Sequence, residues 1–182
     1  VFMIEQNLLP FEFSIFRSDD YQTTCRAIKE MTVRGAGAIG AAAGFAMAQA
    51  FLAAPTGKVK TFTEKAFQEI ISTRPTARNL FYAVERVFHA GIKQVSSALS
   101  EAQNIADEDA DFCQKIGEYG KEIILQIARE KAINNSKISE PIHILTHCNA
   151  GWLAFVDFGS ALSPVYAAHN DGINVHVWVD ET

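Results

Sequence analysis

Apolar and polar positions change rhythm twice along the chain. Behind Ser18, Asp19 and Asp20, the residues Tyr21, Cys25, Ile28 and Met31 recur three or four apart, which predicts an amphipathic helix to about Val33 with acids at its positive end. Arg34 to Phe51, RGAGAIGAAAGFAMAQAF, is nearly all apolar and small, so it predicts a buried central helix that other backbone can approach closely. A linker with Pro55 and Gly57 leads to a helix from about Thr63 to Ser72. In the STRPTARNL element, Pro75 favours a first helical turn, and Leu80, Val84, Val87 and Phe88 keep helical spacing as far as Gly91. Two more helices are expected, from Ile92 to about Ala106 and from about Asp107 to Lys131. Asp107, Glu108, Asp109 and Asp111 look like the dipole-favoured start of the second, and Ile116, Ile123 and Ile127 form its stripe.

Asn134, Asn135, Ser136 and Ser139 then make a polar connector, which places a domain boundary near residue 136. Beyond it the period shortens. Ile142 to Thr146 is a short apolar run, and Ile173, Val175, Val177 and Val179 alternate with Asn174, His176 and Trp178, so both read as strands. The segment between them holds a helix ended by Asp171-Gly172, giving one strand-helix-strand unit, expected parallel and right-handed. The expected architecture is thus α+β or α/β: a helical N-terminal domain, 1–136, and the opening unit of a parallel sheet, 137–182. Two strands do not complete such a sheet, so a fragment, or a fold completed by another chain, is expected.

The 182 residues are 48% hydrophobic and 20% charged, the composition of a compact globule rather than a disordered chain. Net charge is -5 and no Lys/Arg run exceeds two, which argues against a nucleic-acid partner. No apolar run reaches the ~20 residues that cross a bilayer and Val1 to Gln6 lacks signal-peptide character, so no membrane association and a cytoplasmic location are expected. Cys25, Cys113 and Cys148 are odd in number and widely spaced, which suggests free thiols rather than disulfides or a zinc site.

Three segments could carry chemistry. Gly35-Ala36-Gly37-Ala38-Ile39-Gly40 fits G-x-G-x-x-G, but a helix precedes it and the next acid is Glu64, which is the wrong setting for a dinucleotide. Arg34 with the backbone N–H groups of Gly35 and Ala36 at a helix start would suit a phosphate, while the bland alternative is a packing turn that needs small residues. Arg74, ahead of Pro75, would sit at a second positive helix end, or is simply a surface arginine. Thr146-His147-Cys148-Asn149-Ala150-Gly151 lies at the C-terminal end of the first predicted strand, where open α/β sheets bind ligands. A thiol beside a helix start there can act as nucleophile, acid or base; the alternative is a buried strand-end cysteine. His143, His147 and His176 lack metal-ligand spacing with a carboxylate, and no metal is expected.

Taken in order, VRGAGAIG, TRPTARNL and THCNAG resemble the methylthioribose-1-phosphate isomerases, with NLLPFEF and HVWVDET as further similar stretches. That group also includes other sugar-phosphate isomerases and the regulatory alpha, beta and delta subunits of the exchange factor of eukaryotic translation initiation. The resemblance covers essentially the whole chain; one departure is Gly37, where many members have proline. It implies a helical N-terminal domain before a Rossmann-like one, an active site between them, and a homodimer of the full-length protein. It carries substrate binding onto Arg34, Gly35, Ala36 and Arg74 and catalysis onto Cys148. Family members continue well past VDET and hold a catalytic aspartate there, so the chain alone is expected to be an inactive fragment.

The implied reaction converts the aldose 5-methylthioribose 1-phosphate to the ketose 5-methylthioribulose 1-phosphate in methionine salvage, without redox cofactor or metal. Two rivals remain open: a non-catalytic regulatory subunit of the translation-factor type, and an isomerase of another pentose 1-phosphate. Intact HCNAG, Arg34 and Arg74 favour the enzyme.

Overall fold

The computed structural model describes residues 1–134 and 140–180. The chain forms two compact units, Val1–Asp109 and Ala110–Thr182. Of the connector expected at 134–139, Asn135, Ser136 and Ser139 lie outside the described residues.

The first unit opens with a hairpin that the residue pattern did not predict. Strands β1 (Phe2–Ile4) and β2 (Ile15–Arg17) pair antiparallel, Phe2 opposite Arg17 and Ile4 opposite Ile15. Helix α1 (Tyr21–Lys29) starts where Asp20 accepts a hydrogen bond from the Thr23 N–H at 2.7 Å. It stops short of Val33 because Met31, at φ 60, turns the chain left-handed and the Thr32 N–H returns to the Ala27 carbonyl at 2.9 Å. Thr24 and Ser18, both fully buried, share a 2.7 Å hydrogen bond; Thr24 also bonds Gln49, whose amide donates to the Ser18 carbonyl at 3.0 Å. Buried polar groups are thus satisfied where α1 meets the next helix.

Helix α2 (Ala36–Ala53) is the predicted central helix. By length and composition it could cross a membrane, with mean hydropathy 1.5, yet 72% of it is buried inside the structure, as expected of a helix that is apolar all round and wrapped by neighbours. Those neighbours include α3 (Val59–Ile71) and α4 (Arg78–Lys93). The small residues decide how α2 and α4 meet. A methyl group at Gly40 would stand 3.1 Å from the Asn79 Cβ, one at Gly44 3.6 Å from the Ala83 Cβ, and one at Gly91 only 2.5 Å from the Phe51 ring. The partners advance together along both helices, so α2 and α4 run in the same direction and start at the same end of the unit.

Helix α5 (Ser97–Asn134) replaces the two helices expected over 92–106 and 107–131. Ile92 belongs to α4, and the acidic run lies in the middle of α5 rather than at a helix start. Acids here find partners in place. Arg86 of α4 bonds both Glu101 and Glu108, Lys115 bonds Asp111 at 2.6 Å, and the Gln103 amide donates to Asp107 at 2.8 Å.

In the second unit, β3 (Ile142–Thr146) and β4 (Val175–Val179) pair in parallel, Ile142 opposite Val175 and Thr146 opposite Val179. Helix α6 (Ser163–Asn170) lies between them in sequence, as predicted. Ile124, Ile142 and Ala168 form the buried centre. Gly117 and Gly120 of α5 let α6 sit close: side chains there would run into Ser163 and Pro164, and the Ser163 hydroxyl donates to the Cys113 carbonyl at 2.8 Å. The other sheet face presents His143, Leu145, His176 and Trp178 to solvent.

Candidate active site

Gly35 precedes α2 with φ 97 and ψ 153, a backbone region essentially reserved for glycine. No side chain caps the helix. The first intrahelical-type bond runs from the Ile39 N–H to the Gly35 carbonyl at 3.0 Å, so the N–H groups of Ala36, Gly37 and Ala38 have no helical acceptor. Arg34 lies half-buried immediately before this turn. Its Nη2 donates to Asn7 Oδ1 at 2.8 Å, while its Nε is buried with no hydrogen-bond partner.

Arg74 does not immediately precede a helix. The Ala77 N–H bonds the Arg74 carbonyl at 3.0 Å, closing a turn with Pro75 at its second position, and α4 starts only at Arg78. Proline's fixed φ suits that turn position as well as it suits a first helical turn, which is why the sequence admitted either. Arg74 is half-buried too, and its Nη1 is buried without a partner. Among the described residues, these two arginines carry the buried side-chain nitrogens that lack a hydrogen bond. The α4 start, like that of α2, has no side-chain cap. The like-directed helices therefore place two uncapped positive ends and two incompletely bonded guanidinium groups at one end of the first unit, a setting suited to an anion.

In the second unit, Cys148 is exposed, whereas Cys113 is buried and Cys25 half-buried. The reading of Cys148 as a buried strand-end residue therefore fails. It follows β3 by two residues, and its φ of 70 turns the chain sharply for a residue with a side chain. The helix start expected beside it is absent from the adjoining sequence: a three-residue 3-10 turn, Trp152–Ala154, comes next and α6 begins only at Ser163. The loop is closed on itself. The Ala150 carbonyl accepts from Ser160 and Leu162, and Gly159, at φ 75, packs so tightly that a Cβ would stand 2.7 Å from the Gly151 carbonyl carbon. Across the strand ends, His147 Nδ1 lies 3.3 Å from an Asp180 carboxylate oxygen, and the Asp180 N–H donates to the Thr146 carbonyl at 2.9 Å.

Sequence reasoning missed Asn7 and the His147–Asp180 pair. Asn7 stands 27 residues before Arg34, with no periodic signal linking them. The alternation of β4 could have shown that Asp180 follows the strand's last residue, but its pairing with His147 depends on register.

The chain matches the initiation factor 2 subunit family over residues 32–182. It is 42% identical over 187 residues to a methylthioribose-1-phosphate isomerase of Rhodospirillum rubrum, covering 100% of this chain and 47% of that protein. It is 44% identical over 183 residues to one of Sulfurimonas denitrificans, covering 99% and 49%. Among solved structures, it is similar to the translation initiation factor eIF-2B subunit delta from A. fulgidus, with TM-score 0.78, 34% identity, and coverage of 98% of this chain and 51% of that one. The 5-methylthioribose 1-phosphate isomerase from Pyrococcus horikoshii gives TM-score 0.76, 37% identity, and coverage of 98% and 49%. The chain spans about half the length of the curated relatives it matches. On the extent of that match, covering all but its first 31 residues, the chain belongs to the initiation factor 2 subunit family.

Proposed function

We propose that this protein is an aldose-ketose isomerase that converts 5-methylthioribose 1-phosphate to 5-methylthioribulose 1-phosphate in methionine salvage. The carrying observation is the shared start of α2 and α4, where Arg34 and Arg74 each keep a buried N–H without a partner. In this reading Arg34, Arg74 and the N–H groups around Gly35 and Ala36 hold the substrate through its phosphate, as charge-assisted hydrogen bonds at helix starts do. The names of the relatives supply the sugar.

The phosphate on the anomeric oxygen prevents spontaneous ring opening, so the reaction needs acid-base help. The C1–ring-oxygen bond breaks, the ring oxygen takes a proton, one hydrogen passes from C2 to C1, and the C2 hydroxyl gives up its proton to become the carbonyl. The change is redox-neutral. Cys148 is assigned as one member of the acid-base pair, since it is an exposed thiol held at a strand tip. A cytoplasmic homodimer of the full-length protein completes the reading on family resemblance, and the polar connector keeps the proposed domain boundary near residue 136, apart from the division between compact units at Asp109 and Ala110.

The test is to supply the protein, as produced from its own gene, with the aldose 1-phosphate and follow the ketose by NMR, then repeat with Cys148→Ala. Loss of product in the variant supports the assignment; undiminished turnover removes Cys148 from the mechanism. The likeness to the A. fulgidus subunit, the higher TM-score of the two structures, favours a second reading as a non-catalytic regulatory subunit. Absence of turnover on any pentose 1-phosphate would favour that reading, and turnover of a different pentose 1-phosphate would move the substrate assignment within the isomerases.

A further inference from the structure

We infer that Asn7, in the loop of the N-terminal hairpin, is a positioning residue that sets the Arg34 guanidinium for anion binding; this rests on the proposed role of Arg34. Asn7 is itself held from two sides. Its backbone N–H donates to the Glu5 carboxylate at 3.2 Å, and its side-chain Nδ2 donates to the Glu30 carbonyl at 3.2 Å. That second bond fixes the amide orientation, because only Oδ1 can then accept from Arg34 Nη2 at 2.8 Å. The loop is also tied to the strip leading into α2. The Gln6 N–H bonds the Thr32 carbonyl at 2.9 Å, and the buried Thr32 hydroxyl donates to Glu5 at 3.1 Å.

The chemistry of the partner matters as much as its position. Arg34 makes no ion pair with a carboxylate among the described residues. A neutral amide orders the long side chain before a ligand arrives, which lowers the entropic cost of binding, yet forms no direct ion pair with the guanidinium. An aspartate would order it equally well and cancel the charge that an anion needs.

The experiment is a titration of the protein with inorganic phosphate, read by calorimetry, for wild type, Asn7→Ala, Asn7→Asp, Arg34→Ala and the Asn7→Ala/Arg34→Ala double variant. Asn7→Ala is expected to weaken phosphate binding about fivefold to tenfold, the scale of one ordinary hydrogen bond, since Asn7 acts on the anion only through Arg34. Asn7→Asp is expected to weaken it further, although it preserves the acceptor. In the double variant, Asn7→Ala is expected to add nothing to the loss caused by Arg34→Ala, since its effect passes through that residue. A merely structural tether predicts the opposite on two counts: Asp would rescue, and the two losses would add. Either result, or wild-type affinity in Asn7→Ala with weakened Arg34→Ala, overturns the inference alone. Undiminished binding in Arg34→Ala overturns the reading of Arg34 on which it rests.

Discussion

Two regions of the first unit use arginine in opposite ways. Midway along α4, Arg86 is clamped by Glu101 and Glu108 and lies over the Tyr82 ring, its charge answered by two carboxylates. At the starts of α2 and α4, Arg34 has one neutral partner and Arg74 keeps a buried nitrogen unbonded. Burying a guanidinium nitrogen without a partner costs free energy. Arg86 is satisfied by two carboxylates while Arg34 and Arg74 each keep a buried nitrogen unbonded, and this difference is what supports the proposed anion-binding role of that end. The contrast separates an arginine that joins helices from two arginines that the proposal assigns to a ligand.

The largest expected effect lies at the proposed anion-binding end. Arg34→Ala or Arg74→Ala should each weaken inorganic phosphate binding about tenfold to a hundredfold, the range for charge-assisted hydrogen bonds, while the thermal midpoint hardly moves. Arg86→Leu should do the reverse. Its contacts are partly exposed, so the loss in urea unfolding should be about 1–2 kcal/mol after allowance for solvent screening, with phosphate affinity unchanged. If Arg86→Leu weakened phosphate binding as much as Arg74→Ala, the distinction between the regions would collapse.

A pH series sharpens the same contrast. The hydrogen bonds from Arg86 hold the Glu108 carboxyl below its ordinary range, against a smaller opposing effect of burial. A carboxyl whose folded pKa is depressed contributes stability above its unfolded pKa, about 4.3, and loses that contribution as pH falls through the folded value. The stability gap between wild type and Arg86→Leu should therefore narrow as the pH is lowered from 7 towards 3. A gap that stayed constant would mean that the ion pairs do not carry the effect.

How much of this could be seen in advance depended on whether the signal was local. The Ala/Gly run announced α2, and the alternation at Ile173 to Val179 announced β4, because each lies within one element. The hairpin did not show, since strands of three residues are too short to display a period of two. The acidic run resembled a helix start because the arginine that answers Glu108 in it, Arg86, comes from another helix. Arg34, Gly35, Ala36, Arg74 and Cys148 could be picked from motifs, but the common direction of α2 and α4 and the bond from Arg34 to Asn7 are tertiary facts.

The smallest effect expected is a difference in rates. Burial, with help from Glu69 and Asp20, pushes the Cys25 thiol up to about 12, so it remains protonated where an exposed thiol ionises. In alkylation at pH 8 followed by mass spectrometry, exposed Cys148 should be labelled first, Cys25 much more slowly, and buried Cys113 only on unfolding. Labelling of Cys25 ahead of Cys148 would contradict the surroundings described for both.

The most direct measurement is an NMR titration of the arginine Nε–Hε signals with inorganic phosphate. Arg34 and Arg74 should shift together along one binding curve while Arg86 stays still. Phosphate that moved neither signal, or moved them with unrelated affinities, would contradict a single anion-binding end at the starts of α2 and α4.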